Sequence, residues 1–255
     1  MRATKSVTAY EVHAEGEQGT CYLGSVFDVP GLTAREKLRY LNEVDDTVRR
    51  ELALEPRGRP QASANLVFPS TDPQAHAGFL IMQADRAHAM SGSNTICTAT
   101  AVLETGILPM VEPVTEFTME APAGLIRVRA ECSNGKVNSV TFTNVPAFAV
   151  ALDRPIEVPT LGTVLVDVAY GGMFFAITDA TQFGLRLTPD EGADITRITE
   201  MVKAAAAEQV PVTHPENPGF TSVTIAELTA PAHNPANSSR NAVTVSTGTL
   251  DWERP

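Results

Sequence analysis

Cysteine is scarce: Cys21, Cys97 and Cys132 are the only three among 255 residues. Odd in number, scattered and without metal-ligand spacing, they support neither a disulfide framework nor a zinc site, and they are expected as reduced thiols packed like small apolar side chains. Positive charge is also in short supply. Nineteen Lys and Arg stand against thirty Asp and Glu, a formal net charge of −11, so phosphate backbones and anionic membrane surfaces would be repelled. No nucleic acid and no membrane is therefore expected as a partner. No window approaches the roughly twenty apolar residues of a membrane span. Met1 to Ser6 leads into a strand-like stretch without an apolar leader, which points to the cytoplasm. No two histidines stand at helical metal-binding spacing, and no phosphate loop or dinucleotide fingerprint occurs, so neither metal nor cofactor is expected.

What the chain does have is apolar patterning, 43% of it hydrophobic, enough to bury a substantial core. Alternating β-prone runs predict strands near Val7–Val12, Thr20–Val26, Leu66–Phe68 and Gly78–Met82. Thr33 with Glu36 three residues on forms a capping box. Leu38, Leu41, Val44, Val48 and Leu52 then recur at helical spacing until Pro56-Arg57-Gly58, which predicts one long helix. A second helix begins near Ser93, followed by strands at Val114–Glu120, Leu125–Ala130 and Val137–Phe142. The last two flank Asn134-Gly135, which supplies the two positive φ angles of a tight hairpin turn. Pro146, Pro155 and Pro159, with no clear period between them, mark Val150–Pro159 as a connector, so domains are expected at 1–150 and 151–255. Strands Thr163–Tyr170 and Met173–Thr178 follow. Thr188-Pro189-Asp190-Glu191 announces a helix to about Gln209, and strand-like Ser222–Leu228 and Ala242–Ser246 lead to the end.

The stretch richest in chemistry is Met90-Ser91-Gly92-Ser93-Asn94-Thr95-Ile96 and the helix it opens, with Ile96, Ala99, Val102 and Leu103 on an apolar face and Gly106 where a left-handed C-terminal cap belongs. At its start the backbone N–H groups of Gly92, Ser93 and Asn94, with the helix dipole, make a seat for an anion such as a carboxylate. The alternative is that Ser91 or Ser93 merely caps the helix.

This stretch resembles the first active-site motif of the proline racemase family, Met-Cys-Gly-His followed by Gly or Asn. His13-Ala14-Glu15-Gly16-Glu17, Glu55-Pro56-Arg57-Gly58, Ala77-Gly78-Phe79-Leu80-Ile81-Met82 and Asp167-Val168-Ala169-Tyr170-Gly171-Gly172 resemble further landmarks of that family, in the same order. The resemblance implies an α+β fold like diaminopimelate epimerase, with two pseudo-symmetric domains, each a sheet wrapped around a central helix. It implies an imino acid substrate between them, its carboxylate on the N-termini of both helices, and two thiols that remove and return the Cα proton without a cofactor or metal. It assigns Ser91 to catalysis and Gly92, Ser93, Asn94 and His13 to substrate binding. A homodimer is compatible with it.

Two departures qualify the resemblance. Ser91 stands where the first thiol belongs, and an alcohol is a far weaker base than a thiol of pKa about 8.5. Family members lacking one thiol resemble trans-3-hydroxy-L-proline dehydratases or hydroxyproline epimerases, and the dehydratase substrate suits a single catalytic group. There the Cα hydrogen and the 3-hydroxyl share one ring face and a single acid/base can serve, so this lyase is the leading expectation. The alternatives are a 4-hydroxyproline 2-epimerase and an inactive remnant that only binds imino acids. Further, the family's second motif, Asp-Arg-Ser-Pro-Cys-Gly-Thr-Gly-Thr, is not among these residues. A truncated second domain without its central helix is therefore expected, with Val164, Val166, Val168, Phe174, Ala176, Val223 and Ile225 along an open apolar groove. Cys97, more than one turn past Ser91, is expected in the core, His88 joins His13 as a pocket candidate, and His214 lies in a proline-bounded loop.

Overall fold

The computed structural model describes residues 6–24, 27–245 and 248–252, so the expectations for Met1 to Lys5, for Val26 and for Ser246 lie outside the described residues. The chain divides between Val145 and Pro146 into two compact units.

The first unit contains β1 (Ala9–Ala14), β2 (Glu17–Tyr22), α1 (Ala34–Glu43), α2 (Thr47–Ala53), β3 (Ser63–Phe68), β4 (Ala77–Met82), β5 (Ala87–His88), α3 (Gly92–Glu104), β6 (Val114–Ala121), β7 (Gly124–Ser133) and β8 (Lys136–Thr143). The sheet runs β1-β2-β3-β4-β6-β7-β8, with β5 paired to β4. Its two parallel contacts, β2 with β3 and β4 with β6, are where the chain crosses over through helices, as parallel neighbours require. The first and last strands, β1 and β8, both touch α3, so the sheet curls around that helix, while α1 and α2 pack on β3 and β4. All six residues of β4 are buried accordingly.

The Thr33 capping box forms as expected: Glu36 N–H donates to Thr33 Oγ1, and the Glu36 carboxylate accepts from Thr33 and Leu32 N–H. Those backbone bonds, Leu32's first, hold the Glu36 carboxyl below its ordinary pKa. The single long helix does not form. The Asp45 carboxylate accepts from the Thr47 N–H and hydroxyl and restarts the chain as α2, leaving Val44 71% exposed. Arg49 is buried instead, donating to the carbonyls of Gln83 and Ala84 and pairing with Asp46. The hairpin turn is as expected, with Asn134 at φ 54° and Gly135 at φ 71°.

The second unit contains β9 (Phe148–Val158), β10 (Gly162–Tyr170), β11 (Phe174–Asp179), α4 (Gly192–Gln209), β12 (Val223–Ala230), β13 (Arg240–Thr244) and β14 (Leu250–Trp252), with sheet order β14-β13-β12-β11-β10-β9. It repeats the opening of the first unit. An antiparallel hairpin, a helical crossover to a parallel strand and an antiparallel neighbour occur as β1-β2-(α1, α2)-β3-β4 and again as β10-β11-α4-β12-β13.

Two expectations fail here. The supposed connector Val150–Pro159 is mostly β9, with Pro155 opposite Leu165. As the terminal strand of its sheet, β9 tolerates a residue without an N–H, and the bulge around Asp153 (φ 50°) hides the period-2 pattern. The apolar groove is not where it was expected: Val164, Val166, Val168, Phe174, Ala176, Val223 and Ile225 are each exposed by 3% or less. α4 packs on β9, β11, β12 and β13, and the ring group of Phe148, Tyr170, Phe174 and His214 adds to the buried apolar layer. Alternation puts the less buried row on the other face, where Asp167, Ile177, Glu227 and Val243 pair in register and Leu165 is 46% exposed.

Candidate active site

α3 begins at an extended residue, Ser91, whose hydroxyl caps it by accepting from Asn94 N–H at 3.4 Å. Ser91, Gly92 and Ser93 are half-buried, while Asn94 is fully buried. The N–H groups of Gly92 and Ser93 sit in the first turn, where an α-helix offers no acceptor, at the positive end of its dipole. Of the three amides expected to face an anion, that of Asn94 is engaged by the cap, while no partner stands within the helix for those of Gly92 and Ser93. The Ser91 hydroxyl lies beside these amides, 3.2 Å from Ser93 Oγ. On their other side the half-buried Phe142 ring packs so close that a Cβ on Gly92 would stand 3.0 Å from Cζ. Amides, hydroxyl and apolar wall together suit a small carboxylate with an apolar body.

Beneath this surface lies a buried polar network. Asn94 Nδ2 donates to Ser91 Oγ at 2.9 Å and to Ser63 Oγ at 3.2 Å, Asn65 Nδ2 donates to Asn94 Oδ1 at 2.8 Å, and Gln83 Nε2 donates to Ser63 Oγ at 3.1 Å. Ser63, Asn65, Gln83 and Phe142 were not singled out from sequence. Polar Ser63 and Asn65 on alternate positions of an otherwise apolar strand were the available signal.

The other candidates fall elsewhere. His13 is exposed on β1; its neighbours Val12 and Ala14 pack toward Cys97 and Ala101 of α3, so alternation turns His13 to the opposite face, and its Nδ1 accepts from Gly16 N–H. The structure does not bring it to Ser91. His88 is buried in β5 with Nε2 3.4 Å from Asp85. His214 is buried, its Nδ1 accepting from the N–H groups of Glu216 and Asn217. Cys97 is fully buried, and burial pushes its thiol up to about 12; burial likewise pushes Cys21, in the same cluster, up to about 11. Both belong to the core. No cluster of His, Cys, Asp and Glu suited to a metal ion occurs among the described residues.

Comparison with known proteins gives this geometry a family. The family model described as proline racemase matches residues 9–253. The chain is 42% identical over 225 residues to 4-hydroxyproline 2-epimerase 1 of Rhizobium rhizogenes, covering 88% of this chain and 65% of that protein. It therefore spans just under two thirds of that curated relative. A probable proline racemase from Agrobacterium radiobacter, solved with bound carbonate, is similar at a TM-score of 0.91 and 39% identity over 96% of this chain and 72% of that one. A hydroxyproline epimerase from Agrobacterium vitis, solved with trans-4-hydroxy-L-proline, is similar at a TM-score of 0.90 and 38% identity over 95% and 70%. With the match running from the first residue of β1 past the last of β14, the chain belongs to the proline racemase family.

Proposed function

We propose that these residues form one half of a cofactor-independent site that labilises the Cα proton of a hydroxyproline, and that the reaction is 2-epimerisation of 4-hydroxyproline. The observation that carries this reading is the half-buried group Ser91-Gly92-Ser93, which offers two unspent amides and a hydroxyl at a helix N-terminus beside an apolar ring. The substrate carboxylate sits on the Gly92 and Ser93 amides, where the helix dipole stabilises it and the negative charge that develops as Cα loses its proton. Ser91 then faces one side of Cα. Inversion needs a proton to leave one face and another to reach the opposite face, so a second acid/base group must stand across from it. The curated relative's name and the ligand bound by the Agrobacterium vitis protein support 4-hydroxyproline as substrate. They reverse the order expected from sequence, in which dehydration came first.

Dehydration of trans-3-hydroxy-L-proline is the second reading, and Ser91 in place of a thiol favours it. There the Cα proton and the 3-hydroxyl leave from one face as water, a C2–C3 double bond forms, and one group can serve as base and then acid. The discriminating experiment incubates the protein with each hydroxyproline in heavy water and follows the Cα proton by NMR. Deuterium incorporation with inversion at C2 of the 4-hydroxy isomer is expected. Loss of water from the 3-hydroxy isomer without inversion of the 4-hydroxy isomer selects the second reading, and no reaction and no binding of either would overturn both.

A further inference from the structure

We propose that Asn65 is a positioning residue for Ser91, acting through Asn94, and that it commits the Ser91 hydroxyl to donate outward toward the ligand; this rests on the assignment of Ser91 to the substrate site above. Asn65 and Asn94 are fully buried and Ser63 is 1% exposed. A side-chain amide can present either end, so its partners decide its direction. The Asn65 amide donates to Asn94 Oδ1, which turns both Nδ2 hydrogens of Asn94 toward Ser63 and Ser91. Ser63 Oγ also receives Gln83 Nε2, so its two lone pairs are filled by N–H donors and the Asn94 orientation is held from both ends. Ser91 Oγ then accepts from Asn94 Nδ2 and from Asn94 N–H. With both acceptor positions taken, its single proton is directed to Ser93 Oγ or to a ligand on the amides. A helix cap alone requires only a backbone amide, and a pair of buried asparagines would be superfluous to it. Gly19 keeps the space clear: a Cβ there would fall 2.7 Å from Asn65 Nδ2 and 3.1 Å from Asn94 Oδ1, on the bond itself.

The test makes position 91 report on its own donors. In Ser91→Cys the three native cysteines are buried, so alkylation by iodoacetamide reads the new thiol, and its pH midpoint reads the thiolate. An N–H donated to sulfur favours the thiolate, so adding Asn65→Leu should raise the midpoint by about one pH unit. Asn94→Gly should raise it similarly, and Asn65→Leu should add nothing in that background. Should Asn65→Leu not fold, as judged by thermal melting, Gly19→Ala presses on the same bond and should give the same rise. An unchanged midpoint, or an equal rise with and without Asn94, overturns the relay. This readout is independent of turnover, whereas the absence of both reaction and binding of the hydroxyprolines in the Ser91 protein would overturn the functional assignment alone.

Discussion

The carboxylate of Glu120, in β6, accepts a 2.7 Å hydrogen bond from the backbone N–H of Ala34, the first residue of α1, across 86 residues of sequence. It is 7% exposed and also receives the Ser70 hydroxyl. A carboxylate at a helix N-terminus is favoured by the dipole, and a buried donor left without it carries a desolvation cost. Glu120→Ala should therefore destabilise the chain by about 2 kcal/mol in urea unfolding, and Glu120→Gln, which still accepts, by less.

Ser91 caps α3, and its proposed part in the reaction can be tested separately from that cap. Ser91→Ala removes the α3 cap and should cost about 1 kcal/mol of stability. Ser91→Cys puts a thiol at the position and should raise deuterium uptake at Cα of proline or hydroxyproline at least tenfold, followed by NMR, because a thiol ionises far more readily than an alcohol. No increase in a folded Ser91→Cys variant would count against Ser91 as the group that faces Cα.

Thiol chemistry supplies a third expectation. Burial keeps Cys21 near 11 and Cys97 near 12, and Cys132 is buried as well. The native protein should show no reaction with a disulfide reagent at pH 8 and should react at three sites after denaturation. A fast site in the native protein would contradict the packing.

The Glu227 carboxyl is pushed above its ordinary value of 4.5 by burial, with Asn241 pulling the other way at 2.9 Å. The folded state therefore keeps this proton at pH values where the unfolded chain has released it. Its contribution to stability is full below pH 4.5 and is lost as pH rises through the elevated value. Glu227→Gln should leave the melting temperature nearly unchanged at pH 4 and raise it at pH 8. An equal shift at both would remove the assignment.

Local signals carried most of the fold. Thr33 with Glu36, Asn134-Gly135 and Thr188-Pro189 each fix backbone within a few residues, and each appears where its chemistry puts it. What failed turned on tertiary neighbours or on a side-chain bond that the helical period does not register. Val44 continues a helical period on paper, but the Asp45 side chain offers Thr47 a competing bond, and buried carbonyls at Gln83 and Ala84 recruit Arg49 inward. Pro155 breaks a strand only if both edges must pair, and its strand is terminal. Of the candidate site, the start of α3 at Gly92 and its free backbone donors were legible because they follow from helix geometry alone. The Asn65–Asn94 bond was not, since it joins residues 29 apart that meet only once β3 lies against α3.

The close approach of Phe142 to Gly92 makes the sizes of these two residues a single shared quantity. Any side chain at position 92 must displace the ring, and any ring shift alters how much of the Gly92 amide a ligand can reach. If both positions were randomised together, growth at one would be accepted only with shrinkage at the other. Glycine would persist wherever an aromatic remains on β8, and a short aliphatic at 142 would be the entry ticket for alanine or serine at 92. The room beside the first turn of α3 is thus set from a neighbouring strand, by a side chain with no polar atom of its own.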